Sequence, residues 1–425
     1  MHFWGIYRIM ALAIHKPTKK VHAMPKQRRA FILVIDALGV GAMPDAPDYN
    51  DSLTANTLAN IDANVERLNL PTLEALGLGH ILPLTHVKAV EKPLASVGKL
   101  AERSKGKDTT TGHWEMAGIV LETPFPTYPN GFRDELVQAF IQQTGCVDIL
   151  GNKPASGTKI LEELGEKHLQ TGFPIVYTSA DSVWQIACHV DKVPLETLYN
   201  WCEIAREILR GDDELSRVIA RPFEGEVGAF RRLGSARHDY AVEPPRAGNY
   251  LCAVEKAGGQ VIGIGKIHDI FCGVGITHSL KSRDNAHGQA LMQDLVEGKT
   301  DLSAYALGTA SFEANAPQLI FNNLVETDMN YGHRRDVLGY AQALEAIDVQ
   351  LKPFVEAMTA DDLLVITGDH GCDPTAPGSD HTREYVPYLA YSPSLEGAVL
   401  GTLDGFHHVG KVCLDWLGIP LPLRD

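Results

Sequence analysis

The chain has 425 residues, 44% of them hydrophobic and 21% charged, and a formal net charge of -15. That composition is ordinary for a soluble enzyme of one large domain or two. The acidic balance excludes a general nucleic-acid binder, which would carry a basic face, although a local group of cations could still hold a phosphate.

Seven cysteines (Cys146, Cys188, Cys202, Cys252, Cys272, Cys372 and Cys413) are scattered, odd in number and without a CxxC pair. That pattern suits a reducing compartment, so a cytoplasmic location is expected. At the N-terminus "MHFWGIYRIMALAIH" is apolar and "KPTKKVHAMPKQRR" is basic. The order is inverted for a signal peptide and the apolar run is too short to span a bilayer. Residues 1–28 therefore read as a poorly ordered extension, with Met24 as an alternative start. No other segment approaches 18 unbroken apolar residues, so no membrane partner is expected.

"AFILVID" at 30–36 is an apolar, Ile- and Val-rich run ending on Asp36, which predicts a buried parallel strand that delivers a carboxylate at its C-terminal end. Next, "GKDTTTGHWEMAG" at 106–118 sets three threonines before a Gly-His-Trp-Glu run. β-Branched residues are poor in a helix interior, so the triplet is either a hydroxyl-rich helix cap or a presented nucleophile. The stretch from 122 to 244 begins with "ETPFPTYPNGF" and ends in "ARHDYAVEPPRAGN", both hinge-like. It is expected to be an inserted α+β cap, with the core formed by 29–121 and 245–425.

The strand pattern returns in "QLIFNNLVETD" (318–328) and "DLLVITGDH" (362–370). Between them Val337, Tyr340, Leu344, Ile347, Leu351, Phe354 and Met358 fall on one helix face. Strand, helix, strand predicts a doubly wound α/β core whose ligands sit beyond the strands' C-terminal ends.

Those ends carry the strongest chemical signal. Asp36, Asp328, His333, Asp369, His370 and His381 supply three carboxylates and three imidazoles, with no thiolate. Hard, mixed donors suit Mn²⁺ or Zn²⁺ and less often Mg²⁺. Six ligands are too many for one open site but fit two ions that clamp a phosphoryl group between attacking and leaving oxygens. Singly, Asp369 could be a helix cap and His333 or His381 a satisfied polar residue; jointly the spacing argues for metal. Cys372 lies among these hard ligands and reads as structural. A hydroxyl beside such ions can be activated, and displacement at phosphorus would then yield a phosphothreonine. Asp108 and Lys107 read as turn formers more than catalysts, His113 and Trp114 as braces behind the loop, and Asp45 and Asp48 as turn residues with an Asx-type bond.

Nine segments, in order from about residue 30 to 392, resemble the phosphopentomutases of the alkaline phosphatase superfamily: "GAMPDAPDYND", "GKDTTTGHWEMAG", "GNKPASGTKI", "YTSADSVWQIA", "RVIARPF", "DYAVEPP", "IGKIHDIF", "DMNYGHRRDV" and "GDHGCDPTAPGSDHTREYVP". The resemblance implies an alkaline-phosphatase-like core with an inserted cap and a two-Mn²⁺ site, other divalent ions being possible. It assigns Asp36, Asp369 and His370 to one ion, Asp328, His333 and His381 to the other, and makes Thr109 the phosphorylated residue bridging both. The implied reaction interconverts ribose 1-phosphate and ribose 5-phosphate, and the 2-deoxy sugars, through a 1,5-bisphosphate, with a sugar bisphosphate as possible activator. Excluding water, as a closing cap would, separates such a mutase from a phosphatase. Asp181, Ser182, Arg217, Ile219, Arg232 and Lys266 are the implied substrate contacts, an Arg being suited to grip a phosphate through paired hydrogen bonds. The implied partners are pentose phosphates alone, and a monomer is compatible with this reading.

Four positions depart from the resemblance: Ala37 for an expected Ser, Gly368 for Ala, Val190 for Glu, and His407-His408 for Ala-Asp. None removes a ligand or the nucleophile. The alternatives are a cofactor-independent phosphoglycerate mutase, where a serine nucleophile is expected, a metal-dependent phosphatase, and a non-catalytic sugar-phosphate sensor. The sensor fits poorly, because purely structural zinc sites are usually cysteine-rich.

Overall fold

The computed structural model describes residues 27–179, 182–313 and 315–423. The N-terminal extension expected over 1–28 lies outside them, apart from Gln27 and Arg28. Arg28 is tied to the core, its guanidinium donating to the carbonyl of Trp416 at 2.8 Å.

The chain divides into two units, one running to Glu122 and resuming at Pro244, the other comprising Thr123–Glu243. Strands of the first unit are β1 (Arg29–Ile35) and β2 (Ser96–Ala101); the second unit follows with β3 (Leu150–Pro154), β4 (Ile175–Thr178), β5 (Val183–His189), β6 (Arg217–Glu224), β7 (Arg231–Arg232) and β8 (His238–Ala241). The first unit resumes with β9 (Gln260–Ile264), β10 (His278–Leu280), β11 (Gln318–Leu324), β12 (Asp362–Thr367), β13 (Val386–Tyr391) and β14 (Val399–Asp404).

In the first unit eight strands lie in the order β10-β9-β11-β1-β12-β13-β2-β14. β13 runs against both its neighbours, and the other pairings are parallel. β1 is central and apolar from Ala30 to Ile35, those residues being no more than 1% exposed. Such a strand needs cover on both faces, which is why it reads as a continuous apolar run and not as an alternation. One face receives the helix Val337–Ala357, whose Tyr340, Leu344, Ile347, Leu351 and Phe354 are buried with Phe31, Leu33 and Ile35. At ~1.5–3 kcal/mol for each large apolar side chain taken from water, this contact sets the register of the sheet. The predicted strands and the helix are all present.

Register then decides where the chemistry sits. Ile35 pairs with Leu324 of β11, and Val34 with Thr367 of β12. All three strands therefore finish at one level, and Asp36, Asp328 and Asp369 follow from the same edge. That edge is where parallel α/β sheets place their ligands.

The second unit has its own sheet, β3-β4-β5-β6-β7, with β8 added on β6. Three helices (Asp134–Thr144, Gly157–Thr171 and Leu195–Ile208) accompany it. Its cores are separate, one around Trp184, Phe140 and Leu198, the other around Phe223, Ile160 and Tyr177. Among the described residues no helix is long and apolar enough to cross a membrane.

Candidate metal centre and nucleophile

Two groups of three ligands form at the shared strand edge. Asp36, Asp369 and His370 are all buried and bring one donor atom each within 4.8 Å of one another. Asp328, His333 and His381 do the same nearby, with the first two half-buried. The five-residue spacing of Asp328 and His333 has a local cause. Thr327–Gly332 is a turn of π-helix, in which the His333 amide donates to the Asp328 carbonyl at 3.1 Å. An i→i+5 bond of this kind returns the chain to the same side after five residues and is common at functional sites.

Every histidine is oriented by the main chain. A carbonyl can only accept, so the contacts of His370 Nδ1 with Gly371 (3.1 Å), His333 Nδ1 with Ser379 (2.6 Å) and His381 Nδ1 with Lys107 (3.0 Å) place the proton on each Nδ1. The Nε2 lone pairs then face the clusters, as second-sphere carbonyls arrange for a metal ligand. His333 Nε2 and His381 Nε2 lie 3.1 Å apart. With each Nδ1 set against a carbonyl, the two Nε2 atoms point into one space, as the ligands of a single cation would. Asp36 Oδ1, Asp328 Oδ1 and Asp369 Oδ2 are likewise buried without a hydrogen-bond donor. Orphaned oxygens on three carboxylates, beside inward lone pairs, fit divalent ions.

The electrostatics agree. Burial, then the neighbouring Asp369 and Asp328, push the Asp36 carboxyl well above its ordinary range, against smaller help from Lys266 and Asn323. Burial would also raise Asp369, but His370, His113 and the Ala37 amide outweigh it and hold that carboxyl at about 2. Asp328 is kept ionised against burial by His381, His370 and His333. Burial in turn pushes the His370 imidazole down, against the opposing pull of Asp369. Acidic groups crowded in low dielectric are relieved by a bound cation.

The threonine triplet resolves on the helix Thr109–Met116. Asp108 is its N-cap, accepting from the Thr111 amide at 3.2 Å and from the Thr111 hydroxyl at 2.6 Å. The capping reading holds for Thr111, which completes the cap, while the Thr109 hydroxyl lies 3.3 Å from His370 Nε2. Asp108 is a structural residue, and so is Lys107, whose ammonium bonds Asp51 at 3.0 Å and Asp380 at 3.0 Å. His113 braces the loop, its Nδ1 donating to the Thr109 carbonyl at 2.8 Å and lying 3.3 Å from Asp369. The Trp114 indole donates to the Ile270 carbonyl at 3.1 Å. Gly112 admits the close approach, for a Cβ there would stand 2.1 Å from the Asp369 carbonyl oxygen.

Two departures from the resemblance meet here. Ala37 takes a left-handed φ of 65° and gives its amide to Asp369 at 2.9 Å. A Cβ on Gly368 would fall 2.5 Å from the Leu38 carbonyl, so the turn after β1 packs where an alanine side chain would stand.

The substrate calls fare unevenly. Asp181 lies outside the described residues. Lys266 is exposed after β9 and acts electrostatically on Asp36. In the second unit, Arg217 lies 3.8 Å from Asp239, and Arg232 is exposed on β7. Ser182 is half-buried, its hydroxyl donating to Pro126 at 2.6 Å and accepting from the Ser216 amide, and the Ile219 side chain is 2% exposed. Cys372 is buried, its thiol pushed up by burial, and its amide donates to Thr57.

One expectation needs correcting. Asp45 makes no Asx-type cap on the turn Ala46–Tyr49; its carboxylate instead accepts from Arg383 at 3.0 Å. Arg383 and the neighbouring Glu384, which accepts from Thr57, Gly41 and Thr382, were invisible to sequence reasoning. The only signal was two charges inside a segment that otherwise reads as a β-strand entry.

The comparisons with known proteins point the same way. A family model described as Metalloenzyme superfamily matches residues 28–421. The phosphopentomutase of Caldanaerobacter subterraneus subsp. tengcongensis is 50% identical over 377 residues, 88% of this chain and 90% of its own. That of Carboxydothermus hydrogenoformans is 47% identical over 393 residues, 92% of this chain and 96% of its own. Among solved structures, a Pyrococcus horikoshii protein of 13% identity covers 94% of this chain and 100% of its own, with a TM-score of 0.46. Identity near one half, sustained from end to end of the relatives, means that this chain belongs to the phosphopentomutase family, within the alkaline phosphatase superfamily.

Proposed function

We propose that the chain is an isomerase that interconverts ribose 1-phosphate and ribose 5-phosphate, and their 2-deoxy counterparts, by way of phosphorylated Thr109. The observation that carries this reading is the Thr109 hydroxyl at a helix start, 3.3 Å from His370 Nε2, beside two clusters of matching ligands.

Asp36, Asp369 and His370 would hold one divalent ion and Asp328, His333 and His381 the other; three carboxylates and three imidazoles favour Mn²⁺. Bound there, the pair supplies Lewis acidity, lowering the pKa of the threonine hydroxyl and neutralising charge on the phosphoryl oxygens. Phosphorylated Thr109 transfers its phosphoryl group to the free hydroxyl of the bound sugar phosphate: the P–Oγ bond breaks, the new P–O bond forms, and the proton of the accepting hydroxyl ends on the departing Thr109 Oγ. The resulting 1,5-bisphosphate reorients, and its other phosphate returns to Thr109. His113 holds the Thr109 carbonyl throughout, and the backbone carbonyls on each Nδ1 hold the imidazoles. Lys266, Arg217 and Arg232 are the proposed phosphate and sugar contacts, and a bisphosphate is the proposed primer.

Phosphorus NMR of the purified protein with Mn²⁺, ribose 5-phosphate and a trace of ribose 1,5-bisphosphate tests this. The expected result is a new anomeric phosphate signal reaching a constant ratio with little free phosphate, and loss of it in Thr109→Ala. Free phosphate alone would make the protein a phosphatase. No change, with metal bound, would sink the pentose assignment.

A further inference from the structure

We propose that Arg383 is a positioning residue for phosphoryl transfer, holding the segment that carries the nucleophile against the segment that carries His381. The proposal rests on the reading of Thr109 as nucleophile and deepens it.

Arg383 is 1% exposed, and its guanidinium carries more bonds than a buried ion pair requires. Two carboxylates face it, Asp45 and Glu102, the latter also fully buried. They balance its charge and explain how it tolerates the interior. The remaining contacts are of another kind. Nη1 donates to the carbonyls of Ser104 (3.0 Å) and Gly106 (2.6 Å), and Nη2 to that of Glu102 (3.0 Å). Those carbonyls belong to alternate residues of the segment that leaves β2 at Ala101 and enters the nucleophile helix at Thr109. Charge neutralisation needs none of them. Fixing the path of that segment needs all three.

The other side of the tie is the metal-ligand segment. Two residues before Arg383, His381 donates from Nδ1 to the Lys107 carbonyl at 3.0 Å. Residues 381–383 thus grip residues 102–107 at four carbonyls. Asp51 closes the same seam, accepting from the Arg383 amide at 2.8 Å and from the Lys107 ammonium at 3.0 Å. On the opposite side, Gly112 rests against Asp369. The nucleophile helix is therefore located against each ligand cluster by a separate contact, and Arg383 supplies the one to the second cluster. Only an arginine meets this demand, because a planar fork of five N–H donors serves several acceptors at once, whereas a lysine offers three donors from one point. A reacting atom displaced by about 1 Å can lose roughly 10²-fold in rate, so a tie of this kind acts on turnover and not on substrate affinity.

The test compares wild type with Arg383→Lys and Arg383→Gln, each loaded with Mn²⁺ and assayed with ribose 5-phosphate, with metal content measured and amide hydrogen exchange followed by mass spectrometry. Arg383→Lys keeps a cation between Asp45 and Glu102 and is the variant expected to fold. Its expected behaviour is unchanged Mn²⁺ content and KM, a kcat lower by roughly 10–10²-fold, and faster exchange at residues 103–109 while β1 and β12 stay protected. Arg383→Gln should lose more of kcat. Wild-type kcat with wild-type exchange in folded Arg383→Lys would overturn the proposal. So would a loss of kcat that merely follows lost metal. If wild type itself fails to turn over ribose 5-phosphate, the proposed function falls, and the exchange result alone decides the role of Arg383: protection retained at 103–109 would refute it.

Discussion

The two ligand clusters are built from the same residue types and differ in how they are held. Asp36, Asp369 and His370 follow directly from β1 and β12 and are at most 2% exposed, so the sheet itself sets their positions. Asp328, His333 and His381 come from a π-turn and a long loop, and the His333 side chain is 37% exposed. The first cluster is therefore buried, and its crowded carboxylates push the Asp36 carboxyl up. The second meets water, so its ion should exchange more readily. Nucleophile chemistry gains from the buried partner, and loading gains from the open one.

The sharpest way to break this contrast is Asp369→Asn. It removes a ligand that also receives the Ala37 amide and faces His113. Turnover should fall by ~10³-fold or more, since uncompensated change at a two-metal centre removes transition-state stabilisation directly. Metal analysis should show about one ion lost per chain even with Mn²⁺ in excess. His333→Ala is expected to behave differently. Outer-sphere partners alone alter metal affinity by roughly 10–100-fold, so this ligand should raise the Mn²⁺ needed for half-maximal activity by ~10²-fold or more. Excess Mn²⁺ should restore much of kcat. Equal, unrescued losses in the two variants would erase the distinction between the clusters.

A smaller effect tests the sheet's role. In Gly368→Ala the new Cβ meets the Leu38 carbonyl, a backbone atom that cannot swing away. Overpacking of this kind costs ~1–3 kcal/mol, read as a lower melting temperature with Mn²⁺ content retained. The smallest effect lies outside both clusters. Burial, then His407 and Lys411, lower His408 to about 4, whereas an unfolded histidine titrates near about 6.5. The unfolded chain binds the extra proton between those values, so this group's contribution is complete above the upper one and fades as pH falls to the lower. His408→Gln should flatten the acid side of the stability curve by that share and leave metal dependence unchanged. An unaltered pH curve would refute the assignment.

Much of this was legible because it is local. An apolar run ending on an acid states both the strand and the placement of Asp36, and the heptad-like spacing from Val337 to Phe354 states the covering helix. The six candidate ligands could be singled out because their types agree with one chemistry, and the fold gathers them into two groups of three. Arg383 was not, since its buried partner Glu102 is 281 residues away in sequence and nothing near either residue announces the other. Asp45 misled for the same reason: a single sequence offers an aspartate between two prolines, Pro44 and Pro47, a turn, and tertiary structure gave it a guanidinium. The choice of Thr109 came from the resemblance, since the residue types leave the three hydroxyls equivalent; in the fold the Thr111 hydroxyl is bound to Asp108, while that of Thr109 lies 3.3 Å from His370 Nε2. Ile219 is a motif residue whose side chain lies in the core, which the motif alone does not announce.

The π-turn at Thr327–Gly332 carries a consequence for insertions and deletions. An ordinary α-turn closes one residue sooner, and each residue advances a helix by about 100°. Inserting one residue before His333 would leave every ligand type in the sequence yet turn its imidazole by roughly that angle, away from Asp328. The place of that imidazole is thus stored as chain length: alignments that slide by a single position here would keep the residues and lose the site.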